Sequence, residues 1–549
     1  MSNSLVKRLR DIAVVSLVIG ILAGFFVPIY TDETGWRFQE RAAFDGVDKL
    51  YSDVCGANTL ARPPFFMWPV RYYSAIFNSA FADPFYIRLS GVLYALTFVA
   101  LMLWLIRRIA ASVWERAVSG TMAAGLLTLG MMPLVIVWSR PEQPILLCLL
   151  GALIIGANAV GATDKDTSGK AAWRRSLMLA ALWAIAVSYH LKALFLLPVF
   201  GACLFYCARS REARIPKLAS GALILAITAA GASYWVGRLG CPDEAALRSH
   251  FASNSVGALL SGVKTLEDAW TLTMHMLGNV KYFGYVMLLT PDPAPLSSWL
   301  PEGQISRPDA IRWYGALLFV WGVALVTGLY ALVKSLRSAL AQRRIDARLV
   351  LALTCIVSFM GWSATQNWSN VYETPFALSL ALLAIILAVA AISMGERERA
   401  TLNFMCGTLV GLGIVNLALL AVVWSPAMSR AWSQEGYIED QFNSVSIHGY
   451  GKLKPQIMET ARMCGIPEPD KAHAVLIDEL TYFAYMKSHL PQHRLGSRGI
   501  WTGKYGDTIT YLKSRKSDGI LVGCQHLAPD LRARAKQNGE FCCLAPPDW

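Results

Sequence analysis

The chain has 549 residues, of which 55% are hydrophobic and 16% charged, and it carries a formal net charge of +13. Soluble domains carry about 25% charged residues, so the composition excludes an ordinary soluble globule and points to an integral membrane protein. The basic excess does not form a nucleic-acid face, because most of it falls in short stretches between apolar segments, the positive-inside pattern of membrane proteins.

The N-terminus, MSNSLVKRLRD, leads into the uncharged run IAVVSLVIGILAGFFVPI at 12–29. This run exceeds the roughly 7–15 residues of a signal-peptide core and no A-x-A cleavage site follows, so it is expected to be an uncleaved first span. About 20 apolar residues cross a bilayer. Spans are expected at 12–31, 86–106, 117–138, 144–161, 218–237, 312–333, 349–365, 375–394 and 402–424. The stretch 176–207 is interrupted by SYHLKA and reads as two short spans, 176–189 and 192–207, which brings the total to eleven.

Loop charge agrees with this count. With Lys7, Arg8 and Arg10 inside, alternation places four further groups on the same side: Arg107, Arg108 and Arg116; Lys165, Lys170, Arg174 and Arg175; Arg209, Arg211, Arg214 and Lys217; and Lys334, Arg337, Arg343, Arg344 and Arg348. Arg397 and Arg399 follow them. That one-sided distribution is the expected asymmetry. The segment 276–290 is short and is expected to lie in the interface or re-enter. An odd number of spans puts the C-terminus outside.

The tail changes texture. AVLIDE (474–479), GILVGC (519–524) and EFCCLA (540–545) read as strands, and TYFAYMKS, GDTITYLKSRK and LAPDLRARAKQN read as helices between them. Such alternation predicts a small, partly parallel α/β domain. The expected organisation is a transmembrane catalytic domain at 1–426, with long outer loops at 32–85 and 238–311, and an extracytoplasmic α/β domain at 427–549. Cys464, Cys524, Cys542 and Cys543 fall in that domain, where an oxidising compartment permits disulfides. Cys148, Cys203, Cys207, Cys355 and Cys406 fall in spans and read as small buried apolar residues.

The outer loops hold the polar residues of interest. TDETGWRF begins the first, with the acid pair Asp32–Glu33, and LARPPFFMW follows with Arg62. The second is WSRPEQP, with Arg140 and Glu142; the third is SYHLKA, with His190 and Lys192; the last is TQNWSNVYETP, with Tyr372. This order resembles the GT-C superfamily of polyprenyl-phosphate-sugar glycosyltransferases, in particular its protein-mannosyltransferase and aminoarabinose-transferase branch. Asp32–Glu33 match the branch's first-loop acid pair. RPPFFMW is similar to its Lys-Pro-Pro-Leu-x-x-Trp segment, Pro141–Glu142 to its Pro-Asp, Leu191–Lys192–Ala193 to its Thr-Lys-Gly turn, and Tyr372 with Pro375 to part of its Arg-Tyr-x-x-Pro. The likeness covers about residues 10–210 by motif and the rest by architecture. Arg62 stands where the branch has Lys and Glu142 where it has Asp, and no Arg precedes Tyr372.

The resemblance implies a GT-C-like α-helical polytopic fold with about eleven helices and an inverting transferase in the bacterial inner membrane, with its N-terminus cytoplasmic. The implied donor is a polyprenyl-phosphate-linked sugar; the acceptor is a cell-envelope lipid, glycan or protein, and no nucleic acid is involved. The chemistry suits the residues. Departure of a lipid phosphate generates negative charge that fixed cations must stabilise, and Arg62, Arg140, His190 and Lys192 are candidates, with Tyr372 beside them. The acceptor hydroxyl needs a base, for which Asp32 is first choice and Glu33 the alternative. Glu142 is the third candidate acid. A divalent ion held by Glu33 or Glu142 with His190 is a further expectation, its identity open because carboxylate and imidazole suit many metals.

Each feature has a plainer explanation alone. An acid pair can simply cap a span, Glu142 can simply pair with Arg140, and His190 can be a satisfied buried histidine. Lys192 is harder to dismiss, because an ionisable group between apolar segments is functional by default. Two other functions compete. A lipid or glycan transporter would show internal repeats and ionisable residues at mid-membrane, neither of which is visible. A non-catalytic scaffold would have no need of carboxylates in the first two outer loops.

Overall fold

The structure is a computed structural model of the full chain, and it describes residues 3–29, 33–34, 37, 63–80, 83–160, 169–207, 214–239, 262–287, 307–343, 345–365, 374–392, 395–433, 437–438, 444–448, 450–472, 475–478, 481–485, 508–514 and 516–546. Each of the eleven expected spans contains helix among its described residues. In chain order the helices are α1 (Asn3–Ala23), α2 (Trp68–Ala80), α3 (Pro84–Ile109), α4 (Val113–Thr128), α5 (Met132–Val135), α6 (Glu142–Val160), α7 (Gly169–Tyr189), α8 (Leu197–Cys207), α9 (Arg214–Leu239), α10 (Leu266–Met287), α11 (Arg307–Gln342), α12 (Ala347–Thr365), α13 (Thr374–Ala390) and α14 (Glu396–Ser433). Among the described residues, 7 of these are long and apolar enough to cross a membrane. The protein is a multi-pass membrane protein.

Local chemistry sets the helix ends. Asp83 caps α3 by accepting from the Phe85 N–H at 3.1 Å, Pro84 occupies the first turn, and Arg107 and Arg108 lie in the last. Ser112 and Glu115 form a capping box at the start of α4. The expected span at 117–138 is broken: α4 ends at Thr128 and the chain turns at Gly130, where φ is +60°. Freed backbone groups in an apolar core must find partners. Asn416 of α14 supplies them, accepting from the Gly130 N–H and donating to the carbonyls of Thr128 and Gly130 at 2.8–3.0 Å. The break delivers residues 136–142 to one end of the bundle. Trp138, which its position would assign to an interfacial belt, is buried there.

The described part of the 276–290 segment is helical and belongs to a longer helix. Residues 266–287 form one 22-residue helix, α10, packed against α12 and α13. The free cysteines of the helical region, Cys148, Cys203, Cys207, Cys355 and Cys406, are all buried.

Helix α14 has 38 residues, a length of about 57 Å at 1.5 Å per residue. That exceeds the roughly 30 Å hydrocarbon core, so the helix carries the chain clear of the bundle to the C-terminal α/β domain. There β1 (Tyr437–Ile438) pairs antiparallel with β2 (Ser444–Val445). A second sheet has the order β3-β4-β6-β5, built from β3 (Val475–Ile477), β4 (Gly519–Gly523), β5 (Lys536–Asn538) and β6 (Phe541–Leu544). Strand β3 is parallel to β4, and the other two pairs are antiparallel. The expected strands and mixed sheet are present. The expected helix over LAPDLRARAKQN is only one turn, Pro529–Arg532, after which β5 begins. The reason is the two-residue loop Gly539–Glu540: Gly539 at φ +59° turns the chain into a hairpin and commits 536–538 to the sheet. Disulfides Cys464–Cys543 and Cys524–Cys542 fasten β6 to both sides of the domain.

Candidate active site

The site forms where the first helix ends, where the chain turns at 136–142 and where α7 breaks. After α1, residues 24–29 leave the bundle, and Glu33 turns back into it. Its carboxylate is fully buried and held from two directions. Arg88 Nη2 donates to Oε1 at 2.8 Å, and the Ser139 N–H donates to Oε2 at 2.6 Å. The Arg88 guanidinium also donates to the carbonyls of Val27 (3.1 Å), Val137 (2.9 Å) and Pro28 (2.7 Å). One buried cation therefore ties three chain segments together. Gly91, one turn along α3, permits the same approach: a Cβ there would lie 1.8 Å from the Val137 carbonyl oxygen.

The loop 138–142 passes directly into a second ionic cluster. Glu142 opens α6 and is buried. Lys192 Nζ donates to its Oε1 at 2.5 Å, and Arg140 donates from Nε to Oε2 at 3.2 Å and from Nη2 to Oε1 at 3.3 Å. Lys192 reaches it because α7 stops at Tyr189 and the chain continues as a 3-10 turn, Leu191–Leu196. His190 caps that turn, its Nδ1 accepting from the Lys192 N–H at 3.1 Å. Its ring lies 5.7 Å from that of Trp235.

Beside Arg140 opens a surface pocket lined by Arg37, Arg140, Tyr73, Phe77, Tyr94 and Tyr189 together with Ser74, Ser139 and two prolines. Arg37 Nη2 donates to Ser139 Oγ (2.8 Å) and to Ser90 Oγ (2.9 Å), and its guanidinium lies 5.4 Å from the centre of the Phe77 ring. Arg71, behind Ser74 on α2, donates to the Tyr234 hydroxyl and stacks over that ring. Arg37, Arg71, Arg88, Arg140 and Lys192 are all buried, against the carboxylates of Glu33 and Glu142. Of these cations Arg37 and Arg140 line the pocket, and the planar Arg fork is suited to a phosphate group.

Of the residues expected from sequence, the structure brings Arg140, Glu142 and Lys192 into one ionic cluster, with His190 at its edge and Glu33 joined to it through Ser139. Asp32, Arg62 and Tyr372 lie outside the described residues. Among the described residues no three His, Cys, Asp or Glu side chains gather closely enough to hold a metal ion. Of the residues expected to hold an ion, Glu33 is engaged by Arg88 and Glu142 by Arg140 and Lys192.

Arg37 and Arg88 were not singled out from sequence, yet both carried a signal. Arg37 closes the same TDETGWRF stretch as the acid pair. Arg88 is an ionisable residue inside an expected span, which is by default functional. Tyr94 and Tyr189 carried none, since an aromatic residue in an apolar helix is ordinary core.

No protein-family model matches the chain, and no curated protein matches it. Solved structures do. ArnT from Cupriavidus metallidurans bound to undecaprenyl phosphate is 12% identical, with 99% of this chain and 98% of that chain covered and a TM-score of 0.43. The archaeal oligosaccharyltransferase AglB from Archaeoglobus fulgidus, in complex with an inhibitory peptide and a dolichol-phosphate, is 12% identical, with 93% and 69% covered and a TM-score of 0.41. The Archaeoglobus fulgidus oligosaccharyltransferase in complex with Zn and sulfate is 10% identical, with 93% and 68% covered and a TM-score of 0.41. Likenesses at this level carry no argument about activity.

Proposed function

We propose that the chain is an inverting glycosyltransferase that moves a sugar from a polyprenyl-phosphate donor to a hydroxyl of an envelope lipid, glycan or protein on the outer face of a bacterial inner membrane. In this reading residues 1–426 form the catalytic membrane part and 427–549 the extracytoplasmic part. The observation that carries it is the pocket with the guanidinium groups of Arg37 and Arg140 in its wall, beside the buried Glu142–Lys192 ion pair. A lipid phosphate can reach a boundary site from the bilayer without leaving its apolar tail in water.

The donor phosphate sits against Arg140 and Arg37, with Arg62 and Tyr372 assigned to the same task. Lys192 and His190 act from behind: Lys192 shares Glu142 with Arg140, and the Glu142 carboxylate fixes the Arg140 fork. The acceptor oxygen attacks the anomeric carbon on the face opposite the phosphate, and the carbon–oxygen bond to phosphate breaks. The phosphate departs with the electron pair, and the acceptor proton passes to Asp32. Glu33 is given a positioning role because both its oxygens already accept bonds from the protein. A positioned base contributes about 10²–10⁴ in rate. No step is routed through a metal.

The test offers the purified protein a panel of radiolabelled polyprenyl-phosphate sugars with envelope acceptors. Asp32→Asn is expected to lose at least about 10²-fold in turnover with donor binding kept, whereas Arg140→Leu loses donor binding. Full transfer by Asp32→Asn would remove the assigned base. Movement of unaltered lipid across sealed vesicles, without transfer, would replace the reading with a transporter.

A further inference from the structure

The catalytic assignment above leaves the C-terminal domain without a role, yet the domain is joined to the segment that carries the acid pair. Ile29 lies three residues before Asp32. It forms an antiparallel bridge with Val445 of β2: the Ile29 N–H donates to the Val445 carbonyl at 2.8 Å, and the Val445 N–H donates back at 3.0 Å. On its other side Val445 is in register with Tyr437 of β1. Ile29 and Val445 are buried in one apolar cluster with Ile87, Ile447 and Tyr450. Ile87 adjoins Arg88, the residue that holds Glu33 and the Val27 and Pro28 carbonyls. An aromatic chain runs parallel to the bridge: Phe26 meets Trp432 at 5.3 Å, and Trp432 stacks on His448 at 4.9 Å.

Val27, Pro28 and Glu33 are therefore held by Arg88 of α3, and Ile29 between them by the backbone of Val445. Only three residues lie between Ile29 and Glu33, a reach of at most about 14 Å, so the two anchors are close along the chain. We infer that the C-terminal domain is a positioning element of the transfer site, and that the Val445 backbone sets the register of the segment bearing Asp32 and Glu33. This rests on the transferase reading above. Arg140 belongs to the 136–142 loop, and Arg37, though only four positions past Glu33, is held separately by Ser90 and Ser139, so donor binding rests less on the bridge than placement of the base does. A misplacement of about 1 Å can cost about 10²-fold in rate.

The test uses the full-length protein in lipid nanodiscs. Val445→Pro removes the N–H donated to Ile29, and Val445→Ile retains it. The expected result for Val445→Pro is a fall in kcat of about 10–100-fold with the donor KM within about twofold, and for Val445→Ile near wild-type kcat. Turnover by Val445→Pro equal to wild type, or a loss confined to donor KM, overturns the inference. If Val445→Pro does not fold, Ile29→Cys/Val445→Cys decides. The Cα atoms of a hydrogen-bonded antiparallel pair lie about 5.5 Å apart, within disulfide range. Oxidised protein is expected to turn over like the unlinked form, because the domain stays docked throughout the cycle. Loss of turnover on oxidation, restored by mild reduction, overturns the inference. Wild-type protein that transfers no sugar at all would instead remove the transferase reading, and this inference with it.

Discussion

The loop of residues 136–142 and the C-terminal sheet are both short, irregular pieces of chain that must be held still, and they are held by different forces. In the loop, buried ions do the holding: Arg88 grips three carbonyls and Glu33, and Glu142 draws in Arg140 and Lys192. In the sheet, two disulfides and the bonds of Asp478 do it. Asp478 accepts from the Gly523 N–H at 2.7 Å and from the Thr481 N–H at 3.0 Å, and it lies 2.7 Å from His526 Nδ1. A buried ion holds strongly only while every partner is present, so removing one partner of this network is expected to be felt by the rest. A disulfide acts largely through the unfolded chain, which suits a domain that must keep one shape.

The largest effect that would break this contrast is expected at Arg88. Arg88→Met leaves Glu33 buried without its cation and should cost about 3–5 kcal/mol, read as loss of folded protein after extraction in mild detergent. Adding Glu33→Gln should recover part of that, because the lone charge is gone while the Val27, Pro28 and Val137 carbonyls still lack their donor. Full stability of Arg88→Met alone would show that ions do not hold this loop.

Next come the disulfides. Removing Cys464–Cys543 by paired Ser substitution should cost about 2–5 kcal/mol, measured by denaturant titration of the domain's protection from protease. Removing Cys524–Cys542 should cost about 1 kcal/mol less, because it closes 18 residues rather than 79. The opposite order would show that chain entropy does not govern these links.

The smallest effect is a pH dependence. Burial pushes the Asp478 carboxyl upward, but His526 and the N–H groups of Gly523 and Thr481 outweigh it and hold the group below its ordinary value. A depressed folded pKa adds stability above the unfolded value, about 3.9 for Asp, and that stability is lost as pH falls through the folded pKa. Wild-type protein should therefore lose domain stability on acidification more steeply than Asp478→Asn, as followed by urea midpoints. Parallel slopes would exclude Asp478 as the acid-sensitive fastening.

Much of this architecture was legible before any coordinates. Span positions follow from runs of apolar residues, the break at His190–Lys192 from polar residues between two short runs, and β3, β4 and β6 from short apolar strings. These are local signals. The turn at Gly130 was hidden because an apolar run looks the same whether or not it bends, and the partner that makes the bend tolerable, Asn416, lies 286 residues away. Strand β5 was read as helix because its own residues are ambiguous, and the hairpin glycine after it decided the matter.

The amino-acid sequence alone determined that the chain is a multi-pass membrane protein, and that acids and cations recur where apolar segments end. Only the tertiary structure decided how they are used. It committed Glu33 to Arg88 and Glu142 to Arg140 and Lys192, turned Arg37 toward the pocket, and joined Ile29 to Val445. Periodicity and composition report what each segment does by itself in water or lipid. The pairing of charges 50 or 55 residues apart, and of strands further apart still, depends on how helices pack, and packing is a property of the whole chain.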